Sequence, residues 1–209
     1  MLEYKSLRGE CVTQKIIEKS RFITTSRHIE GEEQAKAFVA EISEKYKDAT
    51  HNCYACIWDN VGNYARFSDN GEPQGTAGMP MLEVIKNNNL FEVAVVVTRY
   101  FGGIKLGAGG LVRAYSGCVA ENIEAAEKVL YETCRESRYT VDYPLVDAAI
   151  RYFNEQGANI VNTEYLNEVV FTVAVKKRVA DEFDGGLLNR LNGKLKKELL
   201  REYYFPFKI

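Results

Sequence analysis

The segment from Glu92 to Arg113, EVAVVVTRYFGGIKLGAGGLVR, sets a strand, a glycine-dense turn and a helix start side by side. The run from Ala94 to Val97 is wholly apolar and continues to Phe101, so it predicts a central strand covered on both faces. Glycines then follow at Gly102, Gly103, Gly107, Gly109 and Gly110. This density predicts a sharp turn whose backbone amides can approach a ligand closely.

A helix begins within these glycines, because residues recur at the spacing of one helical face. They are Ala108, Leu111, Val112, Tyr115, Cys118, Val119, Asn122, Ile123 and Ala126. Arg113 falls on the opposite side, and no acidic residue lies between Glu92 and Glu121. Helix-start amides and nearby cations favour anions. The predicted nucleic-acid or phosphate site comprises Arg99, Tyr100, Gly102, Gly103, Lys105, Gly107, Gly109, Gly110 and Arg113.

Simpler interpretations of this segment stay open. Glycines also cluster in tight turns for steric reasons alone, and three cations in such a window are ordinary surface composition. The spacing is neither that of a phosphate-binding loop nor that of a dinucleotide-binding turn. Because Arg99 lies on a strand covered on both faces, an alternative to its role in the anion site is an ion pair with Asp69 or Glu72 in the core.

Four stretches together carry a resemblance. They are Lys19 to Phe22, His51 to Ala55, Ser68 to Gly78 with Pro80, and Val97 to Tyr115. In this order they resemble the signature of the IMPACT family, in particular its bacterial, YigZ-like members. The resemblance covers roughly residues 1 to 130. It implies an N-terminal βαβ-type fold shared with a ribosomal small-subunit protein and the fourth domain of elongation factor G.

The loop from Ser68 to Met79 and His51, which precedes the predicted strand at 53–58, form a candidate second loop of the site. Its residues are His51, Asp69, Glu72, Gly75 and Thr76. The two carboxylates suit a divalent cation, but carboxylates in turns more often cap backbone amides, and we favour capping. His51 has the titration range of an acid or base but no identified partner. No catalytic residue is assigned, because spacing alone assembles no triad.

The remaining pattern predicts an α+β protein of two domains, residues 1–129 and 130–209. Strands at 10–17 and 21–29, a helix from Gly31, strands at 53–58 and 63–67 and a short helix from Pro80 precede the central strand. After it come strands and helices in the order β-α-β-β-α-β, with a candidate interruption at Gly185 and Gly186. This order is ferredoxin-like and is similar to the last domain of elongation factor G.

Composition narrows the function classes. The chain of 209 residues has 46% hydrophobic residues and a net charge of -2, so bulk charge indicates no basic nucleic-acid domain. No signal-peptide core or membrane-length apolar run occurs, which favours a cytoplasmic location without membrane binding. Cys53 and Cys56 project to opposite faces of a strand. We therefore expect no metal site, and we expect no cofactor.

Two hypotheses follow. The first is a non-catalytic RNA- or ribosome-associated protein, with a regulatory protein partner possible, because eukaryotic IMPACT relatives regulate translation initiation. Aromatics at Tyr203, Tyr204, Phe205 and Phe207 near Lys194, Lys196 and Lys197 suggest base stacking on the second sheet, although the ribonucleoprotein signature is missing. The second is an enzyme acting on a phosphorylated small molecule at the glycine turn. The oligomeric state stays open.

Overall fold

A computed structural model describes residues 3–209 and divides them into two units, with Leu130 ending the first and Tyr131 beginning the second. The terminal pair 208–209 groups with the first unit. The strands of the first unit are β1 (Tyr4–Leu7), β2 (Glu10–Ile17), β3 (Ser20–His28), β4 (His51–Ile57), β5 (Ala65–Ser68) and β6 (Val93–Tyr100). Its helices are α1 (Gly31–Lys45), α2 (Gly78–Asn87) and α3 (Gly107–Ala125).

Strand β6 is the centre of the first sheet, whose order is β2-β3-β6-β4-β5 with antiparallel pairing throughout. Residues 93–97 are completely buried, as the apolar run predicts. Val93, Val95 and Val97 pack towards α2 and α3, whereas Ala94 and Val96 pack towards α1. The sheet is therefore the middle of three layers, and its two faces support two separate apolar clusters.

The two cysteines of β4 lie in different clusters, as the period of a strand requires. Cys53 packs with α2 and α3, and Cys56 packs with α1. Strand β1 was not predicted. It is short and polar in part, and its Lys5 forms an isolated bridge to Leu90, a partner that local pattern does not show.

The second unit has the ferredoxin-like order of elements and of strands. Its elements are β7 (Lys128–Val141), α4 (Val146–Glu155), β8 (Asn159–Tyr165), β9 (Val169–Lys176), α5 (Ala180–Arg190) and β10 (Lys196–Lys208). Within this unit the strands are ordered β10-β7-β9-β8, in a five-stranded sheet to which β1 also belongs. The predicted α+β class with two domains is confirmed.

One expectation about the second unit is wrong, and the exposure assumed for the β10 aromatics is only partial. Helix α5 continues through Gly185 and Gly186, and a Cβ at Gly186 would lie 2.1 Å from the Tyr152 hydroxyl oxygen, so this glycine serves close packing. Of the β10 aromatics, Phe207 is buried, and Tyr203, Tyr204 and Phe205 are each partly exposed. Tyr203 and Phe205 are half-buried beside the buried Phe207, since alternate residues of a strand share one face.

No helix within residues 3–209 combines the length and the apolar composition that a membrane crossing requires.

Candidate functional site

The register of the first sheet brings the four sequence motifs to one end of β6. Arg99 lies opposite Phe22 of β3 on one side and opposite His51 of β4 on the other. The loop after β5 and helix α3 reach the same end, because the loop supplies Glu72 to Arg99 and the helix supplies Tyr115, whose hydroxyl donates to Glu72. Residues far apart in the chain therefore meet here.

A buried ion pair is the centre of this end. Arg99 Nη1 donates to Glu72 Oε1 at 2.6 Å, and the side chains are only 5% and 3% exposed. The Tyr115 hydroxyl donates to the same carboxylate oxygen at 2.8 Å, and Arg99 Nη2 donates to Ser20 Oγ at 3.2 Å. We call Ser20, Cys53, Glu72, Arg99 and Tyr115 the motif core.

Burial controls the chemistry of the motif core. Desolvation raises the pKa of the Cys53 thiol to about 12, and the carboxylates nearby add to this increase. Desolvation likewise raises the pKa of Tyr115, and its contacts with Cys53 and Glu72 raise it further. Both groups therefore stay protonated near neutral pH and act as hydrogen-bonding groups rather than as nucleophiles.

Asp69 caps the loop that leads into α2. Its carboxylate accepts hydrogen bonds from the backbone amides of Gly75, Ala77 and Gly78 at 2.8 to 3.0 Å. Burial raises the pKa of Asp69, but the three amides outweigh this effect and the pKa lies below its ordinary value. Thr76 Oγ1 donates to the Pro73 carbonyl at 2.6 Å. These residues organise the loop, in agreement with the capping interpretation.

His51 is half-buried beside the motif core. Its Nδ1 lies 2.8 Å from the Asn70 carbonyl oxygen, to which it donates, because a carbonyl only accepts. Its Nε2 is 3.9 Å from Glu72 Oε1, beyond hydrogen-bonding distance. In residues 3–209, no three His, Cys, Asp or Glu side chains group as a metal site.

The glycine turn is held against the hairpin between β2 and β3. A Cβ on Gly102 would lie 2.0 Å from the Lys19 carbonyl oxygen, so only glycine permits this approach. The Gly102 amide also donates to Ser20 Oγ at 3.2 Å. Gly103 and Gly107 have φ values of 86° and 69°, the left-handed region that glycine favours. The turn therefore has a fixed path.

An open groove of about 550 Å³ lies between that hairpin and α3. It is lined by Ile17, Glu18, Ile104, Lys105, Leu106, Gly110, Arg113 and Ala114. We call it the cation groove. Lys105 and Arg113 are exposed, and neither side chain forms an ion pair or hydrogen bond with any residue of the described chain. Gly107 and Gly109 are exposed at the start of α3 beside it.

Of the predicted members, Lys105, Gly110 and Arg113 line the cation groove, and the other six do not. Arg99 is 4% exposed and paired with Glu72, so it belongs to the core, as the alternative pairing stated. Tyr100 donates its hydroxyl to Asp48, and its ring stacks under the guanidinium of Arg21. The backbone of Gly102 faces the hairpin. The predicted site therefore separates into a buried part and an exposed part.

Sequence reasoning missed polar members of the buried part. Ser20 and Asn52 stand in the quoted motifs but were given no role. The Asn52 amide oxygen accepts from Thr98 Oγ1 at 2.7 Å, and the Asn52 backbone amide donates to the Asn70 side chain at 2.8 Å. Tyr115 was assigned only to the apolar stripe of α3. The one available signal was that these polar residues fall in motifs beside apolar strands.

Comparisons with known proteins match both units. The Impact N-terminal domain model matches residues 18–123, and a domain of unknown function, DUF1949, matches residues 140–194. The IMPACT family member YvyE of Bacillus subtilis is 37% identical, covering 86% of this chain and 82% of its own length. An IMPACT family member of Haemophilus influenzae is 33% identical over 96% of this chain and 98% of its own.

Two further matches extend over most of the chain. YigZ of Escherichia coli is 35% identical, covering 89% of this chain and 92% of its own length. A crystal structure described as that of a hypothetical protein superposes with a TM-score of 0.61 at 32% identity. It covers 96% of this chain and 98% of that one.

Proposed function

Because this chain belongs to the IMPACT family, we propose that it is a non-catalytic, RNA-associated protein that acts on translation and holds RNA in the cation groove. Lys105 and Arg113 carry the proposal, since they line an open groove and have no protein partner among residues 3–209. Unpaired cations on an open surface suit a phosphate backbone, which binds through charge rather than through base identity.

The hydrogen bonds of Asp69 and Glu72 also favour a binding role over a catalytic one. Asp69 is used by three loop amides and Glu72 by Arg99 and Tyr115. Neither faces the groove as a free base. A binding role uses the cations and leaves these carboxylates to their structural contacts, whereas catalysis would require one of them to change partners.

The test is RNA binding by Lys105→Ala with Arg113→Ala. The matched control is Lys5→Ala with Lys86→Ala, which removes the same charge from exposed residues that have no ion pair in the described part of the chain. We expect the groove variant to bind a fluorescent single-stranded RNA more weakly. Its log-log salt slope should flatten by roughly 0.7 for each lost phosphate contact. Fluorescence anisotropy across a salt series measures both quantities.

The control should keep the wild-type affinity and slope, apart from a small effect of net charge. If the groove variant and the wild type have the same affinity and slope, the cation groove is not the RNA site. Equal weakening in the groove and control variants would show a diffuse charge effect instead.

One observation favours an enzyme acting on a phosphorylated small molecule as the second candidate. His51 Nε2 lies 3.9 Å from Glu72, so a small movement would join a histidine to a carboxylate. A screen of phosphorylated metabolites with wild type and His51→Ala separates the two functions. We expect no consumption by either protein, and turnover lost only in the variant would reverse our preference.

A further inference from the structure

A second groove lies on the other face of the first sheet, where α1 leaves the β4–β5 edge uncovered. Ala35, Val39 and Ala40 of α1 form one wall, and Tyr54, Cys56 and Trp58 form the floor and the other wall. Its volume is about 200 Å³. Ala35 and Cys56 are buried at the bottom, and the Trp58 ring stacks on Tyr64 with centroids 6.4 Å apart. We call it the α1 groove.

The floor of the α1 groove is apolar and chemically inert. Desolvation raises the pKa of the Cys56 thiol to about 11, so the thiol is neutral near pH 7, and its sulfur lies 3.4 Å from the Arg66 carbonyl oxygen. Aliphatic and aromatic walls around a neutral floor are the usual lining of a small-molecule pocket. They suit a flat apolar body.

The rim supplies charge of one dominant sign. Glu32, Lys36 and Arg66 stand there, and the single carboxylate lies between the two cations. Lys36 Nζ is 3.1 Å from Glu32 Oε1, whereas the nearest nitrogen of Arg66 is 3.8 Å away from that oxygen. The Arg66 guanidinium therefore makes no side-chain hydrogen bond within residues 3–209. A planar guanidinium of this kind matches a carboxylate with two parallel hydrogen bonds.

We propose that the α1 groove binds a small aromatic carboxylate, with its ring among Val39, Tyr54 and Trp58 and its carboxylate on Arg66. The walls supply affinity through buried apolar area, and Arg66 orients the anion. A cationic ligand is disfavoured because Glu32, the one carboxylate among the described residues that line the groove, already faces Lys36 and Arg66. The α1 groove is independent of the cation groove, which lies between α3 and the β2–β3 hairpin.

The chain contains one tryptophan, so the indole N–H resonance of Trp58 reports on this groove alone. The experiment titrates the full chain with 2-naphthoate and, separately, with neutral 2-naphthamide, following that resonance by NMR. We expect a saturable shift with 2-naphthoate and weaker binding of the amide. Arg66→Gln should weaken the binding of 2-naphthoate roughly two- to fivefold, as for the loss of an exposed ion pair, and should leave the affinity for 2-naphthamide unchanged.

Matched variants on α1 test the location. Ala40 and Ala37 are both exposed on this helix, but only Ala40 lines the groove. Ala40→Phe should abolish the shift, whereas Ala37→Phe should preserve it, with circular dichroism establishing that both variants fold. The proposal is overturned by an absent shift, by equal affinities for the anion and the amide, or by unchanged binding in folded Ala40→Phe.

Discussion

The motif core and the cation groove both contain residues of the segment 99–115, but the cationic side chains of this segment differ in burial and pairing between the two regions. Arg99 is buried and forms an ion pair with Glu72. Lys105 and Arg113 are exposed and form no ion pair within residues 3–209. A buried charge must have a partner because desolvation is costly, but an exposed one is solvated by water. The cations of one sequence motif therefore divide into a structural class and a class available to ligands.

This difference predicts very different costs of mutation, and the largest belongs to the ion pair. Glu72→Ala leaves the Arg99 guanidinium buried without its carboxylate, so we expect the free energy of unfolding to fall by roughly 3–5 kcal/mol. Urea denaturation followed by circular dichroism measures this loss.

The control replaces both partners, as Glu72→Leu with Arg99→Met. It should recover much of the stability, because apolar residues of similar size leave no unpaired charge. If Glu72→Ala lowers the free energy of unfolding by less than about 1 kcal/mol, the Arg99–Glu72 pair contributes no more than an ordinary surface ion pair. The energetic contrast between the two regions would then be wrong.

The glycine turn joins the two regions and gives the next largest effect. Gly102→Ala places a methyl group against the Lys19 carbonyl oxygen, 2.0 Å away without movement, so we expect a loss of about 1–3 kcal/mol. Gly109→Ala is the matched control, since its Cβ would meet only the Arg113 guanidinium at 3.6 Å. Alanine inside a helix gains up to about 1 kcal/mol over glycine. Thermal unfolding should therefore shift in opposite directions, and a shared direction would contradict the close approach.

The variant Asp69→Ala tests the stability of the loop that positions Glu72. Asp69→Ala removes the acceptor of three amides, and we expect a loss of about 1–2 kcal/mol at pH 7, as for a helix cap. The folded pKa lies below its ordinary value of 3.8, so this stability is present above that value and lost as pH falls through the folded pKa. Unfolding curves from pH 7 to pH 3 should show the gap between wild type and variant narrowing as the pH falls below 3.8. A constant gap would assign the effect to packing.

The smallest effect on stability belongs to the cation groove. Lys105→Ala with Arg113→Ala breaks no ion pair or hydrogen bond of the described chain, so the free energy of unfolding should change by no more than about 0.5 kcal/mol for each residue. The same urea titration serves here. A loss as large as that of Glu72→Ala would make these cations structural and leave the groove without free charge.

The sequence predicted those features that depend on local pattern. Hydrophobic periodicity predicts the central strand β6, the separate faces of Cys53 and Cys56, and the apolar stripe of α3. In the structure the apolar residues of these patterns are buried. The partner of Arg99 was narrowed to two carboxylates but not chosen. The choice depends on the path of the loop, in which three backbone amides hold Asp69 and Glu72 reaches Arg99, and periodicity does not encode that path.

Tyr115 shows a second limit. Its position on the apolar stripe was correct, yet its hydroxyl reaches Glu72, 43 positions away, through the packing of α3 against the sheet. An amphipathic side chain counts as apolar in a periodic pattern, and the pattern contains no information about its polar end. The exposure of the β10 aromatics was overestimated for the related reason that exposure depends on the neighbouring strands rather than on composition.

The place of β6 in the sheet has a consequence for the growing chain during its synthesis. The hairpins β2–β3 and β4–β5 can each close as soon as they emerge, but both pair with β6, which is made later and must insert between them. Until Val93 to Tyr100 appear, β3 and β4 each present an unpaired inner edge, the kind of edge that recruits other chains. Between the emergence of Ser68 and that of Val93, the growing chain therefore carries a raised risk of aggregation.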